Sequence, residues 1–281
     1  DGVGEPHLLV KGGQSPHTYA MRPMDAKALE SADLVIWVGP EVEGFLTKPL
    51  DVLARNADVL TLIDSPGMML LPIREGGDWD EHDHDHGEHD HGHDHHVHDH
   101  GSHDHGEDAI DGHIWLSPEN AATIIDQIAD NLIALDPAHQ ALYTSNAADA
   151  KAQLETLTAS LSDELTPVED KPFIVFHDGY HYFEQAFGLK AVGSVTVDPH
   201  VPTGGKHLAE LREKIEELGA VCVFAEPQFE PKIIQALIDG TPARSGTLDP
   251  LGADLETGPA LYEKMMTRMG NAFATCLSET S

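Results

Sequence analysis

Six short apolar runs separated by helical or polar sequence constrain the fold of this chain most: HLLV (7–10), DLVIWVG (33–39), DVLTLI (58–63), PFIVF (172–176), AVGSVTV (191–197) and AVCVFAEP (220–227). Runs this short, rich in Val and Ile, suit strands buried in a parallel sheet. Parallel strands need crossovers, and the sequence between the later runs supplies helices. LAELREKIEELG sets Leu208, Leu211, Ile215 and Leu218 on one helical face with Gly219 at the C′ position, and PKIIQALIDG repeats the device with Gly240. The strand–helix order predicts α/β lobes with right-handed crossovers.

The middle of the chain differs. Ser117-Pro118-Glu119 is an N-cap followed by Pro at the first helical position, and Ile124, Ile125, Ile128, Leu132 and Ile133 then recur at helical spacing. Asp136-Pro137 starts a second helix that runs to about Leu165, with Leu154, Leu157 and Leu161 on one stripe. At 1.5 Å per residue it spans roughly 40 Å, long enough to act as a stiff connector. We expect a first α/β lobe over 1–135, a connecting helix over 136–168 and a second α/β lobe over 169–281.

Between the two cores runs DEHDHDHGEHDHGHDHHVHDHGSHDHGED (80–108), which holds twelve of the twenty histidines: His82, His84, His86, His89, His91, His93, His95, His96, His98, His100, His103 and His105. Imidazole nitrogens suit Zn, Cu and Ni, and the interleaved carboxylates retain a cation nearby. The same composition lacks the apolar area to offset chain entropy and fix one coordination geometry. The tract is therefore expected to be a disordered insertion in the first lobe (loop 78–108) with secondary, weak metal sites, and the precise site lies elsewhere.

The net charge of −33 is only partly local, since twelve of the 49 acidic residues fall in 78–108. Such a surface disfavours nucleic acid and raises the local concentration of cations. No stretch reaches the twenty or so apolar residues of a membrane span, and Asp1-Gly-Val-Gly-Glu carries neither the basic region nor the apolar region of a signal peptide. We expect a soluble monomer with no direct membrane insertion. The two cysteines, Cys222 and Cys276, lack CxxC spacing and are either one disulfide or two buried thiols.

Eight histidines lie outside the tract: His7, His17, His113, His139, His177, His181, His200 and His207. His177 directly follows the strand FIVF, and ligands in parallel α/β sheets gather beyond the carboxyl ends of strands. His17 sits in the turn-rich GGQSPHTY, and His113 sits in GHIWLSP just before the capped helix. All three are loop residues suited to face a cleft. Asp249 in GTLDPLG is the candidate oxygen ligand, in a loop shaped by Pro250 and flanking glycines. His177 and His181 have the H-x-x-x-H spacing of helical zinc motifs, but Gly179 stands where a helix turn is needed, so the two are expected to diverge. Glu226, at the end of another strand, is a candidate acceptor behind a ligand, with a cap or salt bridge the expected role.

The segments GGQSPHTYAMRPMDAKALESADLVIWVGPEVEGFL (12–46), the acidic His-rich insertion, GHIWLSPE (112–119), FIVFHDGYHYFEQAFGL (173–189), VFAEPQF (223–229) and GTLDPLGADL (246–255) together resemble the solute-binding proteins of bacterial ABC importers for zinc and manganese, and among them the zinc-specific ZnuA type. The resemblance covers nearly the whole chain in order. It implies two α/β lobes bridged by one long helix, a periplasmic location, a membrane permease as partner and Zn2+ bound between the lobes. It puts the three ligand histidines on His17, His113 and His177, an aspartate ligand on Asp249, and a disulfide on Cys222 and Cys276. It also implies a strand and helix upstream of VGEP that this chain lacks. Pro16 stands where some relatives carry a Glu ligand, which leaves Asp249 or water as the fourth ligand. Two other functions fit a three-histidine zinc site: a zinc store or chaperone, and a zinc hydrolase in which metal lowers the pKa of bound water to about 7 with Asp178 or Glu226 as base.

Overall fold

In the computed structural model, which describes residues 2–11, 13–74, 109–196, 204–217, 219–229 and 232–278, five of the six expected strands form and take part in two parallel sheets. His200, Leu218 and the tract histidines from His82 to His105 lie outside the described residues. In the first half, α1 (Pro23–Glu30), β1 (Leu34–Trp37), α2 (Thr47–Leu53) and β2 (Asp58–Thr61) form one unit, with β1 and β2 paired in parallel from Leu34 opposite Asp58 to Trp37 opposite Thr61. The run HLLV is not a strand. Only Leu9 packs on the small core of this unit, Leu8 is 47% exposed, and the segment pairs with no described strand.

Next come α3 (Pro118–Leu135) and α4 (Gln140–Leu165), joined through a 3-10 turn at Pro137–His139. The N-terminus of α3 forms as its residues require: the Ser117 side chain accepts from the Asn120 amide, and Pro118 occupies a position whose missing N–H costs nothing. With 26 residues, α4 is about 39 Å long. Its buried stripe, Leu154, Leu157, Leu161 and Leu165, lies in its second half.

The second half contains β3 (Phe173–His177), α5 (His181–Phe187), β4 (Ala191–Thr196), α6 (Gly205–Glu217), β5 (Cys222–Ala225), α7 (Lys232–Ile238), β6 (Arg244–Thr247) and α8 (Leu261–Ser278). The sheet order is β4-β3-β5-β6, all parallel. Every residue of β3 is buried, and its side chains alternate between faces: Phe173 and Val175 join the core that includes Leu161 and Phe273, whereas Ile174 and Phe176 join the core that includes Leu211, Ile215 and Ile234. A strand sandwiched this way has no reason to alternate polar residues, which is why FIVF reads as one apolar run.

The strand β6 has no apolar run and was not expected. It is an edge strand whose place is set by β5, and Gly246 within it is required sterically, because a Cβ there would sit 2.5 Å from the Phe224 ring. Cys222 on β5 and Cys276 on α8 form a disulfide, S–S 2.06 Å, which resolves the two-thiol alternative. The largest core is continuous between the halves: Leu62, Ile114, Leu116 and Ala121 cluster with Leu154, Tyr182, Phe224 and Phe273. Among the described residues no helix is long and apolar enough to cross a membrane.

Candidate metal centre

The three histidines marked out by local context come from three separate segments. His17 lies in a 3-10 turn, Pro16–Thr18, closed by the Thr18 amide on the Ser15 carbonyl at 3.2 Å. His113 precedes the 3-10 turn Ile114–Leu116. His177 is the last residue of β3, where the sheet delivers side chains to its carboxyl edge. One ligating atom from each lies within 4.8 Å of the other two. The Nε2 of His113 is 3.3 Å from that of His17 and 3.1 Å from that of His177, across 96 and 64 residues of sequence.

Those separations discriminate between chemistries. Nitrogens bound tetrahedrally to one zinc at about 2.0–2.1 Å stand roughly 3.3 Å apart. The Nδ1 sides explain why lone pairs meet in the middle. His113 Nδ1 lies 2.6 Å from Asp111 Oδ1, which also accepts from the His113 amide at 2.9 Å, and His177 Nδ1 lies 2.5 Å from Glu226 Oε1. A carboxylate accepts only, so each Nδ1 donates and each Nε2 presents its lone pair. Two buried lone pairs 3.1 Å apart repel unless a cation or proton sits between them.

Electrostatics favour positive charge there, whether a metal ion or a proton. Asp111, Glu226, His113 and His177 are all over 90% buried, so the two carboxylates act through a medium of low polarisability. Burial by itself would lower the His177 pKa, but the Glu226 carboxylate overcomes it and holds the imidazole above its ordinary value. Burial likewise works against the Asp111 carboxylate, yet pairing with His113 leaves its pKa below the usual range. Glu226 is thus both the acceptor for the His177 ring and its ion-pair partner, in keeping with the acceptor and salt-bridge roles considered for it.

Asp249 is near but is not in the group. It is buried, its Oδ1 accepts from Gln228 Nε2 at 2.9 Å and from the Leu251 amide at 3.2 Å, and its Oδ2 accepts from the Ala253 amide at 2.6 Å. His181 heads α5 and is not one of the three grouped histidines. His207 instead contacts the Ser194 carbonyl at 3.0 Å. Asp178 is held by Arg74, whose guanidinium also grips Glu184 through both nitrogens at 2.8 Å.

The cavity at the three imidazoles has a volume of about 10 Å3 and is walled by Trp115, Gln228, Phe229, Pro250 and Leu251 among others. That is room for one water, not for an organic substrate. Its walls tie the halves together: Trp115 Nε1 donates to the Pro250 carbonyl and Tyr262 donates to the Trp115 carbonyl, both at 2.9 Å. Asp111, Gln228 and Arg74 escaped the sequence reading. The Asp-x-His spacing of 111 and 113 was a usable signal; Gln228 and Arg74 carried none.

Comparison with known proteins shows the family. The family model described as ZnuA, "Zinc-uptake complex component A periplasmic", matches residues 2–276. The "High-affinity zinc uptake system protein ZnuA" of Brucella suis is 49% identical, the alignment covering 99% of this chain and 86% of the relative. The protein of the same name from Yersinia pestis is 41% identical with the same coverage, 99% and 86%. Among solved structures, a zinc-bound ZnuA deletion mutant superposes with a TM-score of 0.75 at 25% identity, covering 97% of this chain and 89% of that one. The periplasmic zinc-binding protein TroA of Treponema pallidum shares the fold, with a TM-score of 0.76 at 20% identity over 96% of this chain and 90% of that one.

Proposed function

The chain belongs to the ZnuA family of periplasmic zinc-uptake components, and from that membership we propose that it captures Zn2+ in the periplasm and delivers it to the membrane permease of an ABC importer. The ligands in this proposal are His17, His113 and His177, each through Nε2, with the lobes at 1–135 and 169–281 joined by the connector at 136–168. The carrying observation is the convergence of three imidazole nitrogens, from segments 64 and 96 residues apart, at zinc-like spacing.

Three neutral imidazoles form a nitrogen-rich, four-coordinate site that suits zinc, whereas manganese takes more oxygen ligands. Asp111 and Glu226, the carboxylates behind two ligands, offset the charge of the cation and raise the basicity of the rings. Because His17 and His113 come from the first half and His177 from the second, bound metal clamps the two, and the permease has a rigid loaded form to recognise. We propose that the protein binds and releases without catalysis, as a monomer. The small cavity and the engagement of the two carboxylates considered as bases by Arg74 and His177 support this reading. The His-rich tract, by its composition, adds weak secondary zinc sites that collect metal for the cleft.

The test is zinc titration against a competing chelator. His113→Ala should weaken cleft binding by more than about tenfold, the loss expected at minimum for a direct ligand. Wild-type affinity in that variant removes His113 from the ligand set. Zinc uptake into vesicles carrying the importer's membrane subunits separates delivery from storage, since a store would bind equally well and drive no uptake.

A further inference from the structure

Gln228, on the loop that leaves β5, lines the cavity beside the three imidazoles, and its two amide ends are in unlike situations. Nε2 donates to Asp249 Oδ1 at 2.9 Å, whereas Oε1 is buried and has no hydrogen-bond partner among the described residues. The orientation follows from the partner: a carboxylate accepts only, so the nitrogen faces it and the oxygen is left over. A buried carbonyl oxygen loses its hydration and asks for a donor in return. The cavity it borders, about 10 Å3, has room for one water-sized body beside the imidazole nitrogens.

Asp249 is the carboxylate bonded to Gln228, and it directly precedes the cavity-lining Pro250. Asp111 and Glu226 are committed to His113 and His177, and Asp178 to Arg74. Pro250 and Leu251, the residues after Asp249, wall the cavity, and the Asp249 side chain is turned instead into its own loop by the Leu251 and Ala253 amides and by Gln228. Of these three restraints only Gln228 comes from outside the loop.

We infer that Gln228 sets the fourth coordination position of the metal: its Nε2 withholds the Asp249 carboxylate from the cation, and its Oε1 accepts a hydrogen bond from the water that completes the tetrahedron. This rests on the three-histidine zinc site proposed above. The consequence is selectivity. A centre of three nitrogens and one water is a poor host for manganese, which favours carboxylate oxygens and a higher coordination number, and a freed Asp249 would supply such an oxygen. Gln228 acts through Asp249 and water, and is a positioning residue.

The experiment uses the full chain with Gln228→Leu, Asp249→Asn and the double variant. Zinc and manganese affinities come from calorimetry with chelator competition, and the visible spectrum of the cobalt-loaded protein reports the ligand set. Gln228→Leu should raise manganese affinity relative to zinc by about tenfold or more and shift the cobalt bands, and the double variant should return both to wild type. Asp249→Asn alone should change zinc affinity by less than about threefold, well short of what loss of a ligand costs. An unchanged metal ratio and cobalt spectrum in Gln228→Leu overturns the inference, as does a hundredfold loss of zinc affinity in Asp249→Asn. His113→Ala run alongside separates two failures. Wild-type zinc affinity there refutes the three-histidine site and this inference with it, whereas lost binding there with a silent Gln228→Leu refutes the inference alone.

Discussion

Replacing Glu226 by Gln isolates the charge behind His177. The glutamine keeps an oxygen able to accept from His177 Nδ1, where Glu226 Oε1 now sits at 2.5 Å, so the ring keeps its tautomer and direction. What is lost is one negative charge at a group 4% exposed, against a ring that is also 4% exposed. Partners of this kind are worth about 10–100-fold in metal affinity, or roughly 1.4–2.7 kcal/mol, and burial places this one toward the upper end. The pH profile supplies a second, independent readout. In the metal-free protein Glu226 overcomes burial and raises the His177 pKa, so the protonated pair stabilises the fold at acid pH, and that stabilisation is lost as pH rises through the folded-state pKa. Zinc competes with the same proton, so its affinity falls as pH drops through that range. Without the Glu226 charge, burial is opposed only by Asp178 and Asp111, so the His177 pKa moves down and the fall in zinc affinity should begin at a lower pH. Chelator-competition titrations from pH 5 to 8 measure both effects. A Glu226→Gln protein with zinc affinity within about threefold of wild type and an unmoved pH profile would refute the assignment of Glu226 as the group that tunes His177.

Three further outcomes follow from other parts of the fold. Arg74→Met strands the Asp178 and Glu184 carboxylates, each with a side chain 4% exposed, and should destabilise the metal-free protein by about 3–5 kcal/mol in urea unfolding; a loss below about 1 kcal/mol would mean water replaces the guanidinium. Reducing the disulfide or replacing both Cys222 and Cys276 by Ser opens a 54-residue separation and should cost about 4 kcal/mol in the same assay, with zinc affinity retained because neither sulfur lies in the metal centre. Deleting residues 80–108 should lower total zinc stoichiometry and slow loading at low zinc while leaving the cleft affinity in place; unchanged stoichiometry and loading rate would retire the collector role of the tract.

How much was legible in sequence depended on whether burial or partnership decides a residue's role. Strands buried on both faces, such as Phe173–His177, announce themselves as apolar runs because both faces demand it. The edge strand Arg244–Thr247 had no such signal, since its place is fixed by β5 and by the room Gly246 leaves for Phe224. The run HLLV carried the signal without a strand to pair with, and one of its leucines stays exposed. His17, His113 and His177 were readable because each stands at the end of an element or in a turn beside a helix start. Of the groups around them, Glu226 was marked by its place at a strand end and Asp111 by its spacing from His113, whereas Arg74 and Gln228 carried no signal because their meaning comes from distant partners: Arg74 reaches Asp178 across 104 residues and Gln228 meets Asp249 across 21.

The most direct test of the account is an anomalous-difference map at the zinc edge from crystals of the full chain grown with one equivalent of zinc. The account predicts one dominant peak bonded at about 2.0–2.1 Å to the Nε2 atoms of His17, His113 and His177. A dominant peak elsewhere in the chain, or one at this place that leaves any of the three rings unbonded, would contradict it.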